Sequence, residues 1–102
     1  MKVYVTAAAK DDLAAIFRYG RRKFGVQQAR RYIVRLRQAQ FAIATPLLRE
    51  AGRARAELAD GLRSTLCVAH VIFYRINQPL DRIEIVRIRS QRQDVDPNLF
   101  AL

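Results

Sequence analysis

Residues 60–92 constrain this chain more than any other part, because three apolar runs follow one another there, each alternating as a half-buried strand alternates. Gly61-Leu62-Arg63-Ser64, then His70–Ile76, then Ile83–Ile88 read as a β-meander, with a turn at 77–81 around Pro79. Arg63, Arg75 and Arg87 stand twelve residues apart, one on each strand. Alternation puts Leu62, Ser64, Leu66 and Val68 on one face of the first strand. In the second strand Val71, Phe73 and Arg75 oppose His70, Ile72, Tyr74 and Ile76; in the third Ile83, Ile85 and Arg87 oppose Glu84, Val86 and Ile88. A small sheet with arginines among its apolar residues points to an anionic partner.

Upstream, Lys2–Thr6 alternates polar and apolar residues and predicts a short strand, after which Thr6 can cap a helix. From Ala7, residues Leu13, Ile16, Phe17, Gly20 and Phe24 fall at helical spacing, with Asp11 and Asp12 near the positive helix end and Gly25 as the terminator. A second helix is expected from Val26 to Thr45, with Ala29, Tyr32, Ile33, Leu36, Ala39 and Ile43 on one stripe and Pro46 as its stop. Val34 and Phe41 fall away from that stripe, with Arg30 and Arg37 between. They read as half exposed, covered by the core or offered to a partner. Residues 47–59 are a connection with one short strand in 53–58, and 91–102 is a tail that turns from polar to apolar. The reading is an α+β fold in the order β-α-α-β-β-β, an N-terminal strand and helical hairpin packed on a small antiparallel sheet of three or four strands.

At 102 residues the chain is read as a single domain, 1–102, with one core. Its 19 Lys plus Arg against 9 Asp plus Glu leave a net charge of +10, mostly from arginine, whose planar fork suits phosphate and carboxylate. Between Leu13 and Leu48 there is no acidic residue, while Arg18, Arg21, Arg22, Lys23, Arg30, Arg31, Arg35 and Arg37 lie there, so the hairpin carries a positive field. Cys67 is the only cysteine, which excludes a disulfide framework and a multi-cysteine metal site. Neither metal nor cofactor is expected. No apolar run approaches the roughly 18 residues that span a bilayer, and the chain opens on a strand pattern instead of a signal peptide. The expectation is a cytoplasmic protein with no membrane partner.

The residues that carry a family resemblance run in order along nearly the whole chain. They are Thr6-Ala7-Ala8-Ala9 with Asp11-Asp12-Leu13 and Ile16, then Tyr19, Gly25, Ala29 with Tyr32, and Pro46. Glu57-Leu58, Gly61-Leu62-Arg63-Ser64, His70-Val71-Ile72-Phe73-Tyr74-Arg75, Ile85-Val86-Arg87-Ile88, Arg92 and Asp94 follow. In this the chain resembles the RelE/ParE toxin superfamily, and ParE specifically. The resemblance implies the toxin of a type II toxin–antitoxin pair that inhibits DNA gyrase and is neutralised by a ParD-like antitoxin, in a heterotetramer or larger hetero-oligomer. The alternative within the superfamily is a RelE-like, ribosome-dependent messenger RNA endonuclease. A plain basic nucleic-acid-binding module without toxicity is a third reading.

Laid on the ribonuclease pattern, Ala59, Gly61 and Val71 stand where basic side chains are expected, Asn98 stands near the place of a C-terminal tyrosine, and Arg92 alone matches. After the last strand, Arg89-Ser90-Gln91-Arg92-Gln93-Asp94 replaces a Leu-His-x-Arg-Met-Asp run of ParE, so Ser90 stands for a histidine. The reading is therefore a binding toxin, with His70, Tyr74 and Arg92 the weak candidates for chemistry. Arg63, Arg75, Arg87, Arg89 and Arg92 are the expected target contacts, unless the first three pair with Glu57, Asp60, Glu84 or Asp94. Leu13, Phe17, Val34, Phe41, Arg30 and Arg37 are the expected antitoxin contacts.

Overall fold

The computed structural model describes residues 1–100. Strand β1 (Lys2–Val5) leads into helices α1 (Ala7–Phe24) and α2 (Val26–Ala42), followed by a short α3 (Pro46–Ala51). Strands β2 (Arg53–Ala54), β3 (Arg63–Cys67), β4 (His70–Asn77) and β5 (Arg82–Ser90) complete one sheet, and a 3₁₀ turn at Pro97–Phe100 closes the described chain. The spatial order is β1-β5-β4-β3-β2. Strands β2 to β5 are antiparallel neighbours, as the meander pattern predicts, while β1 lies parallel to β5, which makes the five-stranded sheet mixed.

Local chemistry explains how the hairpin is launched. The Thr6 hydroxyl accepts the Ala9 N–H at 3.1 Å and donates to Val86 O at 3.0 Å, so one side chain caps α1 and pins its start to β5. Gly25 reverses the chain with φ +91°, a conformation that side chains with a Cβ rarely adopt. Asp11 and Asp12 lie beyond the first turn of α1, so they are not the dipole partners expected of them. Pro46 is not the stop of α2, which ends at Ala42; it occupies the first turn of α3, where its missing N–H is no loss.

The sheet is covered on both faces. Between the helices and the sheet lie Ala9 of α1 and Ile43 at the end of α2 with Ile72, Tyr74, Ile83, Ile85 and Ile88, and on the opposite face Leu62, Phe73 and Phe100 form a smaller cluster with Val71, Val86 and Leu99. Each fully buried isoleucine here is worth about 1.5–3 kcal/mol of transfer free energy. Strand β5 departs from strict alternation. Phe73 pairs with Arg87 and Tyr74 with Ile85, so Val86 is an extra residue, a β-bulge that shifts the parity of everything after it. Ile88 consequently joins Ile83 and Ile85 on the helix side instead of sharing a face with Glu84 and Val86. Leu66, on the same face of β3 as buried Leu62 and Ser64, is 60% exposed.

Candidate functional site

Two concave surfaces bracket the helical hairpin. The outer one is a groove of about 610 Å³ formed by Lys10, Leu13, Ala14 and Phe17 of α1 with Arg30, Ile33, Val34 and Arg37 of α2. Residues three and four apart share a helix face, which is why these two sets meet across the hairpin. Five of the six expected antitoxin contacts, Leu13, Phe17, Val34, Arg30 and Arg37, line this groove. Phe41 does not, but it is 65% exposed one turn or more beyond Arg37, and Val34 is 51% exposed. The core therefore leaves both uncovered.

The inner surface is a cleft of about 910 Å³ between the hairpin and one end of the sheet. Tyr19 and Phe24 of α1, Arg31, Tyr32 and Arg35 of α2, the β3–β4 turn at Val68-Ala69, His70, and Arg89 and Arg92 from the end of β5 and beyond all reach it. Val68 turns with φ +56°, a strained backbone for a β-branched residue, of the kind that gathers at functional sites. At the floor, the Tyr32 hydroxyl stands 2.5 Å from His70 Nδ1 and accepts the Ala69 N–H at 3.3 Å. Cys67 O, 3.5 Å from the same hydroxyl, is a second acceptor for its proton, so the Tyr32–His70 contact is made by either neutral tautomer of His70, with Tyr32 donating to Nδ1 or accepting from it. Burial lowers the His70 pKa from 6.5 and, as the leading cause, raises that of Tyr32. Burial likewise raises the Cys67 thiol, which suits an inert residue.

The arginines expected as target contacts divide into two groups. Arg87 donates Nε and Nη2 to the two carboxylate oxygens of Asp12 at 2.8 and 2.9 Å, and Asp12 also accepts the Ile88 N–H at 2.9 Å. That pairing raises the Arg87 pKa further. Arg75 bonds Glu84 at 2.9 Å, and Glu84, only 6% exposed, also takes Arg82 and Asn77. Arg63 donates to the carbonyls of Glu50 and Gly52 at the end of α3. These three arginines hold elements together. The sequence anticipated Glu84 as a partner of this kind, but neither Asp12 nor a pair of carbonyls.

Arg89 and Arg92 are different. Both line the cleft and, among the described residues, neither forms an ion pair. The Arg89 Nε is shut off from solvent without a hydrogen-bond partner. Of the candidates for chemistry, Tyr74 is fully buried, with its hydroxyl donated to Arg49 O at 2.7 Å, so it reaches no cleft. His70 and Arg92 do share one. Sequence reasoning left out Tyr19, Phe24, Arg31 and Arg35 as site residues. The signal was the Arg31–Arg35 pair one turn apart flanking Tyr32 on an acid-free helix, but only the fold sets it against His70.

The model of the family described as ParE toxin of type II toxin–antitoxin system, parDE, matches residues 3–95. A Toxin ParE1 of Mycobacterium tuberculosis is 35% identical over 96 residues, covering 93% of this chain and 94% of that protein. A Toxin ParE of Escherichia coli is 35% identical over 100 residues, 93% of this chain and 90% of that one. Among solved structures, a chromosomal ParDE toxin–antitoxin system from P. aeruginosa superposes with a TM-score of 0.76 at 20% identity, covering 88% of this chain and 95% of that one. The toxin–antitoxin complex RelBE2 from M. tuberculosis does so at 0.64 and 21%, covering 88% and 96%. Those two likenesses bear on the fold alone.

Proposed function

The chain belongs to the ParE toxin family, the toxin half of type II toxin–antitoxin systems, and from that premise we propose that it inhibits DNA gyrase by binding and is silenced by an acidic, amphipathic segment of a ParD-like antitoxin. The observation that carries the antitoxin half is the outer groove, whose apolar floor of Leu13, Phe17, Ile33 and Val34 is edged by Lys10, Arg30 and Arg37. An amphipathic helix lays apolar side chains into such a floor and carboxylates against such an edge. The segment folds as it binds, which suits a partner made and destroyed independently of the toxin. The pair forms a heterotetramer or larger hetero-oligomer in the cytoplasm.

On the target side the working residues are Arg89 and Arg92, the two of the five arginines expected as target contacts that form no ion pair or side-chain bond among the described residues. Arg63, Arg75 and Arg87 are spent on cohesion. Val34→Glu puts a carboxylate into the apolar groove floor and is expected to weaken the antitoxin at least tenfold, about 1.4 kcal/mol, by titration calorimetry. The same variant should keep its action on gyrase.

One feature favours ribosome-dependent cleavage instead, namely the Tyr32–His70 pair beside Arg92. A supercoiling and DNA-cleavage assay with purified toxin, run beside in vitro translation of a labelled transcript, separates the readings. Blocked supercoiling with an intact transcript supports the binding toxin. A cut transcript with normal gyrase refutes it.

A further inference from the structure

The inner cleft has a positive charge that no carboxylate among the described residues answers. Arg31, Arg35, Arg89 and Arg92 converge on it, and among the described residues none of the four is in an ion pair. Among the described residues Asp12 is the only carboxylate in its wall, and Arg87 together with the Ile88 N–H already takes up both its oxygens. Like charges gathered in a partly desolvated concavity repel one another, and an anion placed among them relieves that repulsion. The Arg89 Nε is buried without a partner among the described residues, as are Gln40 Nε2 and Arg63 Nε outside the cleft, so of these three unpartnered groups Arg89 alone stands where a bound anion could reach it.

The aromatic residues say what kind of anion. Tyr19 and Phe24 line the same cleft with 53% and 54% of their surfaces open, and Lys23 sits 5.5 Å from the centre of the Tyr19 ring, adding a cation to the rim. Planar guanidinium forks take phosphate bidentately, and exposed rings stack on bases whatever their identity. The volume of about 910 Å³ falls within the roughly 300–1,000 Å³ of small-molecule sites. Gln28, Ser90 and Gln93 supply neutral donors and acceptors beside it.

We propose that this cleft is a binding site for one nucleotide unit, with its phosphates on Arg31, Arg35, Arg89 and Arg92 and its base against Tyr19 and Phe24. The unit is supplied free, as a nucleoside triphosphate, or as part of a single strand. The proposal shares Arg89 and Arg92 with the target surface above, but its test contains no gyrase, so either reading can fail alone.

The test is equilibrium binding by purified toxin of ATP, of inorganic tripolyphosphate and of a five-residue single-stranded DNA, in wild type and in two double variants. Arg31→Gln with Arg35→Gln leaves the fold intact, because both side chains are exposed. Saturable binding of ATP or of the strand, weakened at least tenfold in that variant, is the expected result, and the tighter of the two identifies the source. Tyr19→Ala with Phe24→Ala should weaken the same ligand several-fold and leave tripolyphosphate unchanged. Tripolyphosphate binding as tightly as ATP and the strand, retention of binding without Arg31 and Arg35, or no saturable binding of either nucleotide probe would overturn the proposal.

Discussion

Replacing Asp12 by alanine removes one carboxylate and leaves three donors without an acceptor. Its oxygens take Nε and Nη2 of Arg87 and the Ile88 N–H, all between 2.8 and 2.9 Å. The Asp12 and Arg87 side chains are 11% and 20% exposed, so the orphaned guanidinium stays largely out of water. Breaking a buried pair from one side costs about 3–5 kcal/mol, and the residual exposure of Arg87 sets the expectation near the lower end, about 3 kcal/mol. With a melting entropy of about 2.1 cal/mol/K per residue over 102 residues, that corresponds to a fall in Tm of about 14 °C. Calorimetric melting of wild type, Asp12→Ala, Arg87→Met and the double variant measures it. The double variant should lie above the sum of the singles by about 2 kcal/mol, since removing both partners leaves no buried charge. A fall below about 4 °C for Asp12→Ala, under 1 kcal/mol on the same scale, or strict additivity, would refute the cohesive role. Arg87→Met with unchanged Tm and lost gyrase inhibition would return Arg87 to the target surface.

Other consequences follow from single contacts. A Cβ on Gly52 would overlap the Tyr74 hydroxyl, so Gly52→Ala must displace that ring from Arg49 O and should cost about 1–3 kcal/mol in a urea melt; an unchanged midpoint would refute the stabilising role of that contact. Burial lowers the His70 pKa below its ordinary 6.5, so the folded state binds fewer protons than the unfolded one as pH falls through 6.5. Stability should therefore drop from pH 7 toward 5 more steeply in wild type than in His70→Asn, and parallel profiles would remove His70 as the cause. Hydrogen bonding, chiefly from Arg75, holds the Glu84 carboxyl below its ordinary 4.5, so its contribution is present above that pH and is lost on further acidification. Glu84→Gln should start lower at pH 7 and lose less between pH 4.5 and 2.5, as followed by circular dichroism.

Much of this molecule is local and therefore readable from the chain. Thr6 before an Ala-rich helix, Gly25 between two helical stripes and three alternating runs separated by turns need no knowledge of distant residues, because caps, periodicity and φ > 0 act over a few positions. The outer groove was legible for the same reason, since helical spacing alone aligns Leu13 with Phe17 and Arg30 with Val34 and Arg37. What the sequence left open is whatever depends on register. One extra residue at Val86 moves Ile88 into the core, and a period of two carries no mark of where it slips. Arg63, Arg75 and Arg87 look alike in sequence, yet the sheet hands each a different partner, and that of Arg87 lies 75 residues away. The cleft is likewise assembled by tertiary structure alone, from α1, α2, a strained turn and the end of β5. Long-range pairing decides which charges are spent on cohesion and which remain free to bind.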